Sequence, residues 1–215
     1  MKINNESGRS MVEMLGVLAI IGVLSAGALK GYSEAMFKYK MNKTIEEATK
    51  IFERFEELNQ KDWGGTQEEV VYINTSDGTA VQWGLLEKCD LGSAGHCRLP
   101  IGEVYVDLLD NPSDSNGCGA PGHYGEFWFS FTSAKECIAF ASVPWVQMLP
   151  QEWWNPMGYV SVFGSRRDIV LYDPNGYQGD PITTPPNIAE VTSACKSLCA
   201  DGDCRIFFAY RSFNC

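Results

Sequence analysis

The chain has 215 residues, 27 of them acidic and 17 basic, for a net charge of −10. That balance argues against a nucleic-acid-binding surface, because phosphate recognition needs a basic patch. Hydrophobic residues at 45% and charged residues at 20% describe a folded chain rather than a disordered one. Two histidines leave little for general acid–base chemistry. Eight cysteines with no C-x-x-C pair point to an exported, disulfide-bearing protein rather than a zinc ribbon.

From Met11 to Leu29 the only charged side chain is Glu13. As a helix this stretch would rise roughly 28 Å, about one hydrocarbon thickness. One reading is a cleaved secretory signal, with Lys2 and Arg9 as its basic start and Ala26-Gly27-Ala28 as its cleavage site. The other is an uncleaved signal anchor. Glu13 favours the anchor, since a carboxylate inside an apolar stretch costs about 2.5–3.5 kcal/mol at mid-membrane and a plain signal has no use for it.

The segment downstream of Leu29 also favours the anchor. Met41, Ile45, Ala48, Phe52, Phe55 and Leu58 recur at helical spacing, with Lys43, Glu46, Glu47, Lys50, Glu53, Arg54, Glu56 and Glu57 on the other faces. No proline interrupts Met11 to Lys61, so the pattern predicts one long helix, apolar all round in its first half and amphipathic in its second. Trp63-Gly64-Gly65 is its expected stop.

The run from Gly8-Arg9-Ser10-Met11-Val12-Glu13 through Gly22-Val23-Leu24 resembles the N-terminus of type IV pilins and type II secretion pseudopilins. The resemblance implies a prepilin leader over residues 1–8, cut by prepilin peptidase after Gly8 to expose the amine of Arg9. It implies that Glu13 meets the N-terminal amine of a neighbouring subunit during assembly, which suits a carboxylate that needs a cationic partner in the bilayer. The family's first mature residue is usually a phenylalanine that becomes N-methylated; here it is Arg9. Many members place a proline after the membrane segment; here Lys30 stands there, between Gly27 and Gly31. Those glycines would loosen the helix or allow close helix packing. Lys30, Lys38, Lys40 and Lys43 run against the positive-inside rule for this orientation.

The resemblance implies a pilin-like α+β fold: helix 9–61, with 9–29 as the transmembrane and assembly segment and 30–61 amphipathic, packed on an antiparallel sheet in a globular domain over 62–215. Residues 69–74, 79–83, 103–108, 126–131, 159–163, 168–172 and 205–210 read as strands. Phe127, Phe129 and Phe131 alternate toward one core face. Capping-box patterns at Ser133-x-x-Glu136 and Asn187-x-x-Glu190 open helices at 134–142 and from 187 to a stop at Asp201-Gly202.

Cys137 and Cys195 are similar in setting to the cysteines of type IVb pilins, and that likeness implies a bond between them. Cys89 and Cys97 bracket a Gly-rich loop that a bridge would close. Cys195 and Cys199 share a helical face, so they point to one layer and pair elsewhere. With Cys118, Cys204 and Cys215 the eight permit 105 connectivities, among which spacing does not choose.

Other candidate sites have bland counterparts. His96 and Cys97 with Cys118 and His123 match no zinc spacing. Asp173, Asn175 and Asp180, or Asp107, Asp110 and Asp114, are oxygen-rich runs for calcium, the one cofactor candidate, but lack EF-hand spacing and read as solvated turns. Trp145, Trp153 and Trp154 with Met148, Leu149 and Met157 form either a partner-binding patch or a core loop. Arg166-Arg167 is too little for DNA capture, and no catalytic motif is present, so no enzyme is expected.

The function expected is therefore a pilin or pseudopilin subunit of a type IV pilus-like or type II secretion filament. Its partners would be other pilin subunits in a homo- or hetero-polymer, prepilin peptidase and the inner-membrane assembly machinery, with no nucleic acid. It would sit in the bacterial inner membrane by a single pass before assembly, then in a periplasmic or cell-surface filament. The alternative is a secreted or membrane-anchored adhesin-like domain that never polymerises.

Overall fold

The computed structural model describes residues 11–59, 71–92, 95–111, 122–150, 153, 158–164, 168–176, 178–199, 202 and 204–211. Gly8, Arg9, the expected helix stop at 63–65, Cys118, Cys215, Asp114, Trp154, Met157 and Arg166-Arg167 lie outside them.

The predicted long helix is α1 (Met11–Asn59). The chain divides at Lys40 into two units, the second running from Met41 onward. In the first, residues 11–35 are exposed on every side. In the second, Met41, Thr44, Ala48, Ile51, Phe52 and Phe55 are buried. This stripe is rotated slightly from the one expected: Ile45 and Leu58 are only half-buried, while Thr44 and Ile51 take full core positions.

A seven-stranded, wholly antiparallel sheet forms the other layer. Its strands are β1 (Val71–Asn74), β2 (Cys97–Arg98), β3 (Glu103–Asn111), β4 (Gly122–Phe131), β5 (Tyr159–Phe163), β6 (Asp168–Tyr172) and β7 (Cys204–Arg211). They pair in the order β1-β3-β4-β7-β5-β6, with β2 added beside β3. Alternation does the sorting: Val104, Val106 and Leu108 on β3, Phe127, Phe129 and Phe131 on β4, and Ile206 and Phe208 on β7 are all buried. The core is aromatic. Phe52 meets Phe127, Phe208, Trp145 and Trp153 edge-on at 5.1–5.6 Å between ring centroids. Phe55 packs the same way on Phe127, Trp153 and Tyr210. Where Phe55 crosses β4 the strand carries Gly125, whose absent Cβ would lie 3.2 Å from the Phe55 ring.

The helices of the second unit are α2 (Thr79–Gln82), α3 (Ala134–Ala141), α4 (Trp145–Met148) and α5 (Ile188–Leu198). α2 corrects the strand expected at 79–83. Asp77 Oδ1 accepts from the Thr79 N–H at 2.9 Å and Gly78 takes a positive φ of 82°, so the chain coils instead of extending. At α3 the Ser133 hydroxyl accepts from the Glu136 N–H, but Glu136 reaches back one residue further than in a capping box, to the Thr132 N–H. At α5 the reciprocal box between Asn187 and Glu190 is complete. That helix ends at Leu198, three residues before the expected stop at Asp201, with Cys199 as its C-cap and bonded to Cys204.

Candidate functional site

The exposed half of α1 is the largest feature that the fold of this chain leaves unused. Leu15, Ile20 and Leu24 are 62%, 62% and 67% exposed. The helix is long and apolar enough to cross a membrane, which makes it compatible with a membrane anchor. Glu13 is the acid of its first described turn. Gly16, Gly22, Gly27 and Gly31 have open space where a Cβ would stand, so nothing among the described residues requires them to be small.

Further along α1, charge is paired within the helix. Lys43 binds Glu46 at 2.6 Å, and Lys50 binds Glu46 and Glu47 at 3.2 and 3.3 Å. These pairs hold Glu46 below its ordinary range, the Lys43 and Lys50 hydrogen bonds contributing most. One turn beyond Lys50 on the same face, Arg54 reaches Glu87 and the Leu85 carbonyl, tying α1 to the segment after α2.

Three disulfides lie among the described residues. Cys89 is joined to Cys97, closing the Gly-rich loop between them. Cys137 on α3 is joined to Cys195 on α5, and Cys199 to Cys204 at the start of β7. The α5 cysteines thus share a buried layer and each pairs elsewhere. The sulfurs of Cys137, Cys199 and Cys204 lie within 4.8 Å of one another, the one potential metal cluster among the described residues. All three are already bonded to sulfur, and a metal would need thiolates. Cys97 is likewise committed, which removes a ligand from the His96 set.

The carboxylate runs are described only in part. Asp173 is buried and its Oδ2 accepts from the Gln178 N–H at 2.7 Å, while Asp180 is exposed. Asp107 is half-buried on β3, and the side chain of Asp110 lies outside the described residues.

Register, not spacing, builds a polar cleft on the sheet face away from the Phe127–Phe129 side. Tyr105 stands opposite Trp128 and Asp107 opposite Glu126. With Ser76, His96 and Arg205 they line a space of about 460 Å³. Trp128 Nε1 donates to Glu126 at 3.1 Å, and the indole packs on Phe207 with centroids 4.2 Å apart. Burial pushes the Asp107 carboxyl up, and the nearby Asp77 carboxylate adds to that. Tyr105 is raised by burial and then by Asp107, Glu126 and Asp77. The alternating positions of two strands were the only sequence signal for this cleft.

The tryptophan-rich segment divides. Trp145 and Trp153 are core, with Trp145 Nε1 donating to the Phe140 carbonyl and Trp153 Nε1 to Glu56. Met148 is half exposed. The chain matches no protein-family model and no curated protein.

Proposed function

We propose that this chain is a structural subunit of a type IV pilus-like or type II secretion filament. It would be made as an inner-membrane prepilin, cleaved after Gly8 and polymerised through α1. One observation carries the reading: an exposed apolar helix, interrupted only by Glu13, continues without a break into a stripe whose side chains build the core of a disulfide-held head. A helix anchored at one end and bare at the other suits a segment that passes from lipid to helix–helix contacts. Glycines with no neighbour among the described residues support the same use, since small residues let helices approach closely. Head-to-tail contacts between identical chains give open helical filaments wherever the rotation between copies does not close a ring.

The test is intact-mass analysis of the protein from its own membranes, joined to a Glu13→Leu variant. A mature chain starting at Arg9, with normal processing but no filament incorporation in the variant, is the expected result. A chain starting near Leu29, or a parent chain that enters no filament, would overturn the filament reading and leave the non-polymerising adhesin-like domain; a variant that assembles like the parent would remove the role given to Glu13.

A further inference from the structure

Beside α1 in the second unit runs a groove of about 260 Å³. Its floor is apolar, formed by Phe52, Trp145 and Leu149, with the half-exposed Met148 at one side. Its rim is acidic. Glu53 and Glu57, four residues apart and both exposed, line one edge, and Glu56 stands between them. An occupant must therefore offer apolar surface and positive charge together.

We infer that this groove receives residues 30–40 of a second copy of the chain, an inference that rests on the filament reading. Tyr32, Met36 and Tyr39 recur there at spacings of four and three, one face of a helix. Tyr32 and Tyr39 are 66% and 61% exposed. Lys38 and Lys40 flank that face and Lys30 precedes it, against the single acid Glu34. Lysine stems lie along apolar surface while their ammonium groups reach for charge, which suits an apolar floor with a glutamate rim.

Charge makes a second copy the fitting partner. Chains of net charge −10 repel one another, so contacts between copies must bring basic stretches against acidic ones. Residues 30–40 are such a stretch, and the groove is an acidic, apolar complement. The two patches differ, so each copy gives one and receives the other, a head-to-tail contact that can repeat along the polymer the filament reading requires.

The test places the photo-reactive residue p-benzoylphenylalanine at Met148 of the full-length chain in its own membranes and filaments. The expected product on irradiation is a dimer whose cross-link maps to residues 30–40 of the second copy. The reversal E53K/E57K should lower its yield about tenfold, since two attractive pairs become repulsive. Adding K38E/K40E to the same chain should restore it, which a folding defect would not allow. A cross-link mapping elsewhere, a yield indifferent to the reversal, or a failure of restoration overturns the groove inference. Glu13→Leu separates the two ideas: lost filaments in that variant together with an indifferent E53K/E57K leave the filament reading standing and remove the groove. A parent chain that starts near Leu29 and enters no filament removes the filament reading and, with it, the groove inference.

Discussion

Thr44 of α1 and Ile101, in the turn before β3, hold each other through two hydrogen bonds. The Ile101 N–H donates to Thr44 Oγ1 at 2.9 Å, and the hydroxyl donates back to the Ile101 carbonyl at 3.3 Å. Thr44 is fully buried, so this is the polar rivet in an otherwise apolar contact between helix and sheet. Thr44→Val keeps the shape and removes both bonds, leaving the Ile101 N–H unpaired. The expected loss is about 1–3 kcal/mol, read as a lower urea midpoint by tryptophan fluorescence in detergent. Thr44→Ser keeps the hydroxyl and should lose only about 1 kcal/mol.

Phe52 is the hub of the aromatic core. Phe52→Ala removes the ring that meets Phe127, Phe129, Trp145, Trp153 and Phe208 together. A cost of about 3–5 kcal/mol is expected by the same measurement. Phe52→Leu, which refills part of the space, should cost clearly less.

The bridges should rank by the chain they enclose. Cys137–Cys195 spans 58 residues in sequence and Cys199–Cys204 spans 5. Loop-closure entropy then gives about 4 kcal/mol for the first and about 2 kcal/mol for the second. Paired Cys→Ala variants, compared by urea unfolding, check the order. Equal losses would mean that native contacts, not loop length, set their worth.

Stability should respond to pH through Asp107. Its folded pKa is raised above the ordinary 3.8 by burial and by Asp77. Between 3.8 and the raised value the folded chain holds a proton that the unfolded chain has lost, so stability falls as pH rises through that window. Asp107→Asn removes this loss. The variant should melt higher than the parent at about pH 7, and the gain should vanish in acid below the ordinary carboxylate range.

Gly27→Ala separates folding from assembly. Alanine adds about 1 kcal/mol of helix propensity, and no neighbour among the described residues obstructs its methyl. The melting temperature of the head should not fall. Filament yield should drop, because the added methyl holds neighbouring helices apart. A head destabilised by this change would mean that Gly27 serves its own chain.

Much of this architecture is legible in the sequence because its signals are local. The Asn187–Glu190 box, the Phe127–Phe131 alternation and the proline-free run of α1 each state their structure within a few residues. The segment at 79–83 misleads because Thr79-Ala80-Val81 has strand-like composition, while the deciding atom is the Asp77 carboxylate two residues earlier. Thr44 escapes a reading by hydrophobicity because its burial depends on a partner 57 residues away. The β2 and α4 segments, two and four residues long, are too short to carry a period. The Tyr105–Trp128 and Asp107–Glu126 pairs exist only through register between strands, which no spacing rule within one strand reports.

The position of β7 has a consequence for how such a chain is made. The last described strand lies in the middle of the sheet, hydrogen-bonded to β4 on one side and β5 on the other. Without it, β1–β4 and β5–β6 are two separate ribbons with no ladder between them. A chain emerging from N- to C-terminus therefore has its helix in place long before the head can close. During that interval the apolar faces of both ribbons and the edges of β4 and β5 stand open to any neighbouring strand. Residues 204–211 act as a keystone, and a nascent chain stalled just short of them would carry a finished helix and an unfinished, aggregation-prone head.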